Sequence, residues 1–186
     1  HLSEFGMTSG DVESLRQKYY YPNRFDAADT VFVKRVLQKG LAPRLRAAIS
    51  SLLFSEFVSA DERAFAEELY LTMEDCRTMA REGMAFGSHG SNHCWMGELS
   101  EDEQRTEILE SVQLLREIHS PDTTPLKELV MCYPYGSYNA YTIAELERQG
   151  FLFALTTKVG DAQFLGMERY EVKRYDTNDF PVCEGV

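Results

Sequence analysis

The chain has 186 residues, a formal net charge of -11 and 44% hydrophobic residues, including 11 Phe and 10 Tyr. That is ample for a packed core and fits one domain, or one domain with an appendage, which excludes a largely disordered chain. The acidic balance argues against nucleic acid or an anionic membrane as partner, because phosphate contacts need a basic face, and no apolar run nears the roughly 20 residues of a membrane span.

Residues 1 to about 10 read as irregular, with Gly6, Ser9 and Gly10, and residues 11–71 read as wholly helical. Apolar residues recur at three- and four-residue spacing through Leu45, Ile49, Leu52, Leu53 and Phe57. Pro43 suits the first turn of that helix. Ser59-Ala60-Asp61-Glu62 reads as the cap of the next, through Phe65 and Leu69. No chemical constellation falls here, and residues 1–71 are expected to form a helical insertion or lid. His1 and its neighbours read as an expression scar or the cut edge of a longer chain, with no signal-peptide pattern.

From Thr72 the character changes. Thr72 with Asp75 predicts a capped short helix that stops at Gly83. Met84-Ala85-Phe86-Gly87-Ser88 reads as a strand, followed by a loop carrying His89 and His93. Ser100 and Glu103 predict the cap of a long helix through Ile108, Val112, Leu115 and Ile118, which makes the acidic run 98–103 a solvated helix start. Residues 128–133 form a buried-type strand. A helix from about Ala140 to Gln149 closes at Gly150, and strands follow at 151–156 and 170–174. This alternation predicts an α/β fold of parallel strands joined by crossover helices. About four strands are too few for a closed eightfold barrel, so either residues 72–186 form a partial barrel or earlier strands lie outside the chain.

Four cysteines, Cys76, Cys94, Cys132 and Cys183, contain no CxxC pair, which argues against a thiolate zinc site or a disulfide framework and suggests reduced thiols in a cytoplasmic protein. The chemistry concentrates elsewhere. His89-Gly90-Ser91-Asn92-His93 places two imidazoles four residues apart at a strand end, where parallel α/β folds put their sites. Small neighbours let the rings converge on a metal. Two surface histidines in a Gly/Ser loop would look the same from spacing alone. In Tyr133-Pro134-Tyr135-Gly136-Ser137-Tyr138, Pro134 fixes φ and Gly136 permits a sharp bend, so a backbone N–H can point into a pocket as an oxyanion donor. Tyr133, Tyr135 and Tyr138 could face pyranose rings, and Trp95 could form a wall, although ordinary packing explains aromatics equally well. Asp176 and Asp179 sit in a carboxylate-rich loop that could support a base or a ligand, or simply form an Asx turn. His119, near a helix end, is given no role. There is no GxGxxG, Walker or GxSxG motif.

With these residues in view, residues 72–180 resemble a polysaccharide deacetylase of the nodulation-deacetylase homology type, carbohydrate esterase family four. His89 and His93 match the family's metal-binding H-(S/T)-x-x-H motif, with Gly90 where Ser or Thr is usual. Pro134, Tyr135 and Gly136 match the motif that lines the sugar site. The string around Tyr135, with the later Arg-x-Asp-Thr-Asn-Asp, is similar to the branch that acts on capsule and surface sugars.

The resemblance implies a distorted or partial (β/α) barrel with a helical insertion on its N-terminal side. It also implies a divalent metal, with zinc the expected ion, held by His89 and His93 and a third ligand not identified in this chain. The implied reaction is removal of N- or O-acetyl groups from a carbohydrate, with Tyr135 N–H as oxyanion donor and Pro134, Tyr135 and Gly136 lining the sugar site; beside these, Asp176 and Asp179 are candidate supporting carboxylates, and Trp95, Tyr133 and Tyr138 candidate sugar contacts. The family's Phe-Asp-Asp motif, which supplies the base and third ligand, is not matched. Arg24-Phe25-Asp26-Ala27-Ala28-Asp29 lacks adjacent aspartates and falls in predicted helix. Cys132 stands near the position of the arginine that often precedes the Pro-Tyr element, and the leucine-histidine motif carrying the general acid is not found. A non-catalytic carbohydrate-binding or scaffolding domain is therefore the alternative. Exposed apolar edges of a truncated sheet would favour self-association.

Overall fold

The structure, a computed structural model, describes residues 2–119, 126 and 128–180. The chain divides into two compact units between Tyr70 and Leu71. Cys183 lies outside the described residues; Cys76, Cys94 and Cys132 are free thiols.

The first unit is helical. Thr8 caps α1 (Ser9–Tyr19) in a reciprocal box with Asp11, which accounts for an ordered start where sequence suggested irregular chain. α2 (Ala28–Arg35) runs on into a π-helical turn, Val36–Gly40. α3 (Pro43–Phe57) starts with its proline in the first turn. α4 (Glu62–Leu69) is capped by Asp61, whose carboxylate accepts from Ala64 N–H at 2.9 Å. Ser59, part of the expected cap, instead accepts from Asp61 N–H at 3.1 Å, outside the helix.

The expectation of unbroken helix over 11–71 is corrected at 20–27, 41–42, 58–61 and 70–71. In the first gap the Asn23 side chain accepts from Phe25 and Asp26 N–H, both at 2.8 Å, an Asx turn between α1 and α2. Asp26 therefore lies in a turn, ion-paired with Lys34 at 2.7 Å, while Asp29 lies in the first turn of α2. Tyr19, Val36, Leu41 and Ile49 form this unit's core, with Leu15, Phe32, Leu45 and Leu53 packed on it.

The second unit is mixed. α5 (Met73–Arg81) carries the Thr72–Asp75 capping box, and Gly83 follows with φ 91°. α6 (Glu101–Ile118) carries the Ser100–Glu103 box. β1 (Leu129–Cys132) pairs in parallel with β2 (Phe151–Leu155), with α7 (Ala140–Arg148) between them in sequence. The expected strands at 84–88 and 170–174 are reduced to single parallel bridges, Ser88 beside Met131 and Val172 beside Leu155. Local backbone explains both reductions. Gly90 turns left-handed at φ 74° just beyond Ser88, and Glu171, at ψ 34°, leaves the extended region just before Val172. Two strands, not four, therefore form the ladder among the described residues.

The core of this unit joins Ile108 and Val112 of α6, Met131 of β1, Leu146 of α7 and Phe151 and Ala154 of β2 with Met96, Tyr133 and Tyr170. Each large side chain buried here contributes about 1.5–3 kcal/mol of transfer free energy. All four paired segments run parallel, so the chain leaves them at one end of the array. His89, the Pro134 turn, Thr157 and the loop toward Asp176 all follow such ends, the side where open parallel sheets gather function.

Candidate functional site

The two histidines converge. His89 and His93 bring their Nε2 atoms to 3.0 Å. His89 Nδ1 lies 2.6 Å from the Cys132 carbonyl oxygen, so the proton belongs on Nδ1 and Nε2 carries a bare lone pair. His93 is held below the usual imidazole range by partial desolvation and then by neighbouring His89, which favours the neutral ring that binds metals. Two nitrogens sharing a tetrahedral zinc at 2.0–2.1 Å would lie about 3.3 Å apart. The observed spacing needs only a small opening, and the second ring nitrogen of His89 is already oriented by a carbonyl, so the pair fits two positions of a metal site. Among the described residues, no group of three or more His, Cys, Asp or Glu is arranged to hold a metal ion.

Backbone strain collects here. His93 at φ 54° and Tyr135 at φ 57° are the positive-φ residues other than glycine among the described residues. Each such residue costs on the order of 1–3 kcal/mol and persists only where its surroundings hold it. Their rings touch, with centroids 4.6 Å apart, and the indole of Trp95 stacks on Tyr135 at 4.4 Å and 9°. The backbone bonds of the turn are donated by Gly136 to Tyr133 O at 2.9 Å and by Ser137 to Pro134 O at 3.0 Å, not by Tyr135. Gly136 is required at its position: it has φ 68°, and an added Cβ would come within 2.2 Å of Thr157 Oγ1.

Other expected site residues are placed differently. Tyr133 is buried in the core, its hydroxyl donating to Tyr170 O at 2.9 Å and its ring stacked on Tyr138. Burial also pushes its phenol far above the usual range. Tyr133 and Pro134 thus offer no open face to a sugar, a correction to the expectation of three tyrosine platforms. Tyr138 is half-buried, donates its hydroxyl to Glu171 and lies under the Lys158 ammonium at 5.3 Å from the ring centroid. Glu171 and Tyr138 in turn push the Lys158 amine up to about 12. Asp176 and Asp179 cap their own turn: Asp176 Oδ1 accepts from Asn178 N–H at 2.9 Å, and Asp179 Oδ2 accepts from Asp176 N–H at 2.7 Å. Trp95 and Tyr135 are half-buried and border the histidines.

Sequence reading missed the groups that hold the histidine loop. Glu107 of α6, 6% exposed, accepts from Ser91 N–H, Asn92 N–H and the Asn92 side chain. Ser111, one turn on, shares a 2.7 Å hydrogen bond with Ser88. Gln104, one turn before, accepts from Thr142 at the cap of α7. The available signal was three polar residues at i, i+3 and i+7 beside the apolar stripe of α6. The departure at Gly90 also has a local cause, because its left-handed backbone would strain a Ser or Thr and its Cβ would meet Glu107 Oε2 at 3.2 Å. An open groove of about 280 Å³, lined by Cys94, Leu99 and Thr106 with Asp102, Glu103 and Glu107, borders the loop.

Paired histidines, a strained Pro-Tyr-Gly turn and a parallel array behind them make this end of the second unit its candidate site. The sequence profile of the polysaccharide deacetylases matches residues 53–154, more than half of the chain, and the chain belongs to that family. It is 28% identical over 100 residues, 54% of its length, to YxkH of Bacillus subtilis (strain 168), a protein named as belonging to the same family. The match covers 34% of YxkH, so the chain spans about a third of that curated relative. Two solved structures show partial likeness in shape. One is BA0330 of Bacillus anthracis, named in the same way, with 25% identity over 56% of this chain and 31% of that one, and a TM-score of 0.45. The other is the deacetylase PplD of Streptococcus pyogenes in complex with acetate, with 19% identity over 88% and 76%, and a TM-score of 0.49.

Proposed function

We propose that this chain is part of a metal-dependent hydrolase that removes N- or O-acetyl groups from a carbohydrate. One observation carries the reading: the two histidine Nε2 atoms converge beneath the strained Tyr135 turn. Family membership supports an acetylated sugar as the substrate. His89 and His93 would hold a divalent ion, zinc by donor type, which would supply a Lewis acid that activates water. Tyr135 N–H would donate to the oxyanion formed at the acetyl carbonyl. Trp95, flat against Tyr135, would form one wall for the sugar ring. Asp176 and Asp179 would act as supporting carboxylates after leaving the turn they cap. The second unit would form part of a (β/α) barrel, with the helical unit as an insertion or lid.

The second reading is a domain that binds a carbohydrate without turning it over; among the described residues no third ligand joins the histidine pair. Elemental analysis of the purified chain beside the His89→Ala/His93→Ala double variant separates the first question. Stoichiometric zinc that disappears in the double variant is expected; equal zinc in both would refute the ligand assignment. Acetate release from acetylated oligosaccharides by the zinc-loaded chain separates the second, since carbohydrate binding without release leaves the binding domain.

A further inference from the structure

We propose that Glu107 is the positioning residue of the histidine loop, setting the geometry in which His93 meets His89; its link to metal rests on the reading of those histidines as ligands. The side chain is almost fully buried on α6, and its carboxylate is filled by the loop itself. Oε2 accepts from Ser91 N–H at 2.9 Å and Asn92 N–H at 2.8 Å, and Oε1 accepts from Asn92 Nδ2 at 2.7 Å. All three donors belong to the two residues that precede His93. Burying a carboxylate is costly unless hydrogen bonds compensate it, and here the compensation comes from the segment that must be held.

The chemistry calls for an acceptor-only group. An amide at 107 would turn an N–H₂ toward N–H donors, whereas an ionised carboxylate accepts on every side. Close approach requires Gly90, whose backbone leaves room for Oε2. α6 also grips the other end of the loop, through Ser111 to Ser88, and Ser88 Oγ accepts from Gly90 N–H at 3.3 Å. One helix therefore fixes the chain just before each histidine. Directly after the second grip His93 adopts its left-handed backbone, a conformation the residue would otherwise leave.

The test uses Glu107→Gln, Glu107→Ala and Asn92→Ala, each checked for a native unfolding transition. The first readout is the NMR cross-peak between the His89 and His93 ring protons in metal-free protein; the second is zinc affinity. In folded Glu107→Gln the cross-peak should vanish and zinc affinity should fall about 10–100-fold, the usual cost of losing a group that orients a ligand. Asn92→Ala, which removes one of the three bonds, should show a partial loss of both. A folded Glu107→Gln and Asn92→Ala with the cross-peak unchanged overturn the proposal; if Glu107→Ala does not fold, those two variants decide. Wild-type protein that takes no zinc but loses its ring contact in Glu107→Gln leaves Glu107 as the positioning residue and refutes only the metal reading.

Discussion

The two units solve the same problem with different materials. In the helical unit no described residue other than glycine has a positive φ, the buried side chains are apolar, and polar groups serve caps and turns at the surface. In the second unit seven polar or charged residues are buried among the described ones: Ser88, Gln104, Glu107, Ser111, Thr142, Glu145 and Thr156. Both strained residues lie there too. A unit that only has to fold does not need such groups, since each is costly unless its partners are in place. The contrast sets the second unit apart without reference to any motif.

Substitutions at glycine sharpen this contrast most. Gly136→Ala puts a Cβ against Thr157 in a left-handed backbone. It should destabilise the second unit by about 2–5 kcal/mol, the sum of a conformational and an overpacking penalty, read as a lower urea midpoint. Gly10→Ala in α1 is its counterpart: its Cβ would meet only Thr8 Oγ1 at 3.6 Å, an ordinary contact. It should raise stability by about 0.5 kcal/mol, because alanine loses less backbone freedom on folding. If both changes destabilise equally, the two units do not differ as argued.

The smallest effect is one of pH. His93 is held below its ordinary value of about 6.5. Between the lowered value and 6.5 the unfolded chain binds more protons than the folded one, so stability rises with pH through that window and levels off above it. Urea midpoints from pH 5 to 7.5 should show this rise, and His93→Gln should flatten it. A rise unchanged in His93→Gln would assign it to another group.

Much of the second unit was legible in the sequence because its signals are local. The boxes at Thr72 and Ser100, the stop at Gly83 and the order of β1, α7 and β2 each depend on a few adjacent residues. The outer strands were overread. Apolar content suggested ladders at 84–88 and 170–174, whereas the left-handed Gly90 and the twist at Glu171 limit each to one bridge. In the first unit, helical periodicity hid the Asx turn at Asn23, which acts through one side chain. At the site, the histidines and the Tyr135 turn could be found from spacing. Glu107 was missed, because its partners are 15 and 16 residues away and the polar row it shares with Gln104 and Ser111 reads as a solvated face. Tyr133 was misread as a platform because its place just past β1, beside Pro134, does not reveal that the core will cover it.

The two left-handed residues bear on how this protein could change over time. A sequence chosen only to fit this backbone would put glycine or asparagine at 93 and 135, where both are relaxed and neither brings an aromatic ring. Drift under selection for folding alone would move both positions that way, and a stabilising redesign scored on the fold would make the same replacements. Histidine and tyrosine at these two places are choices the fold itself does not require.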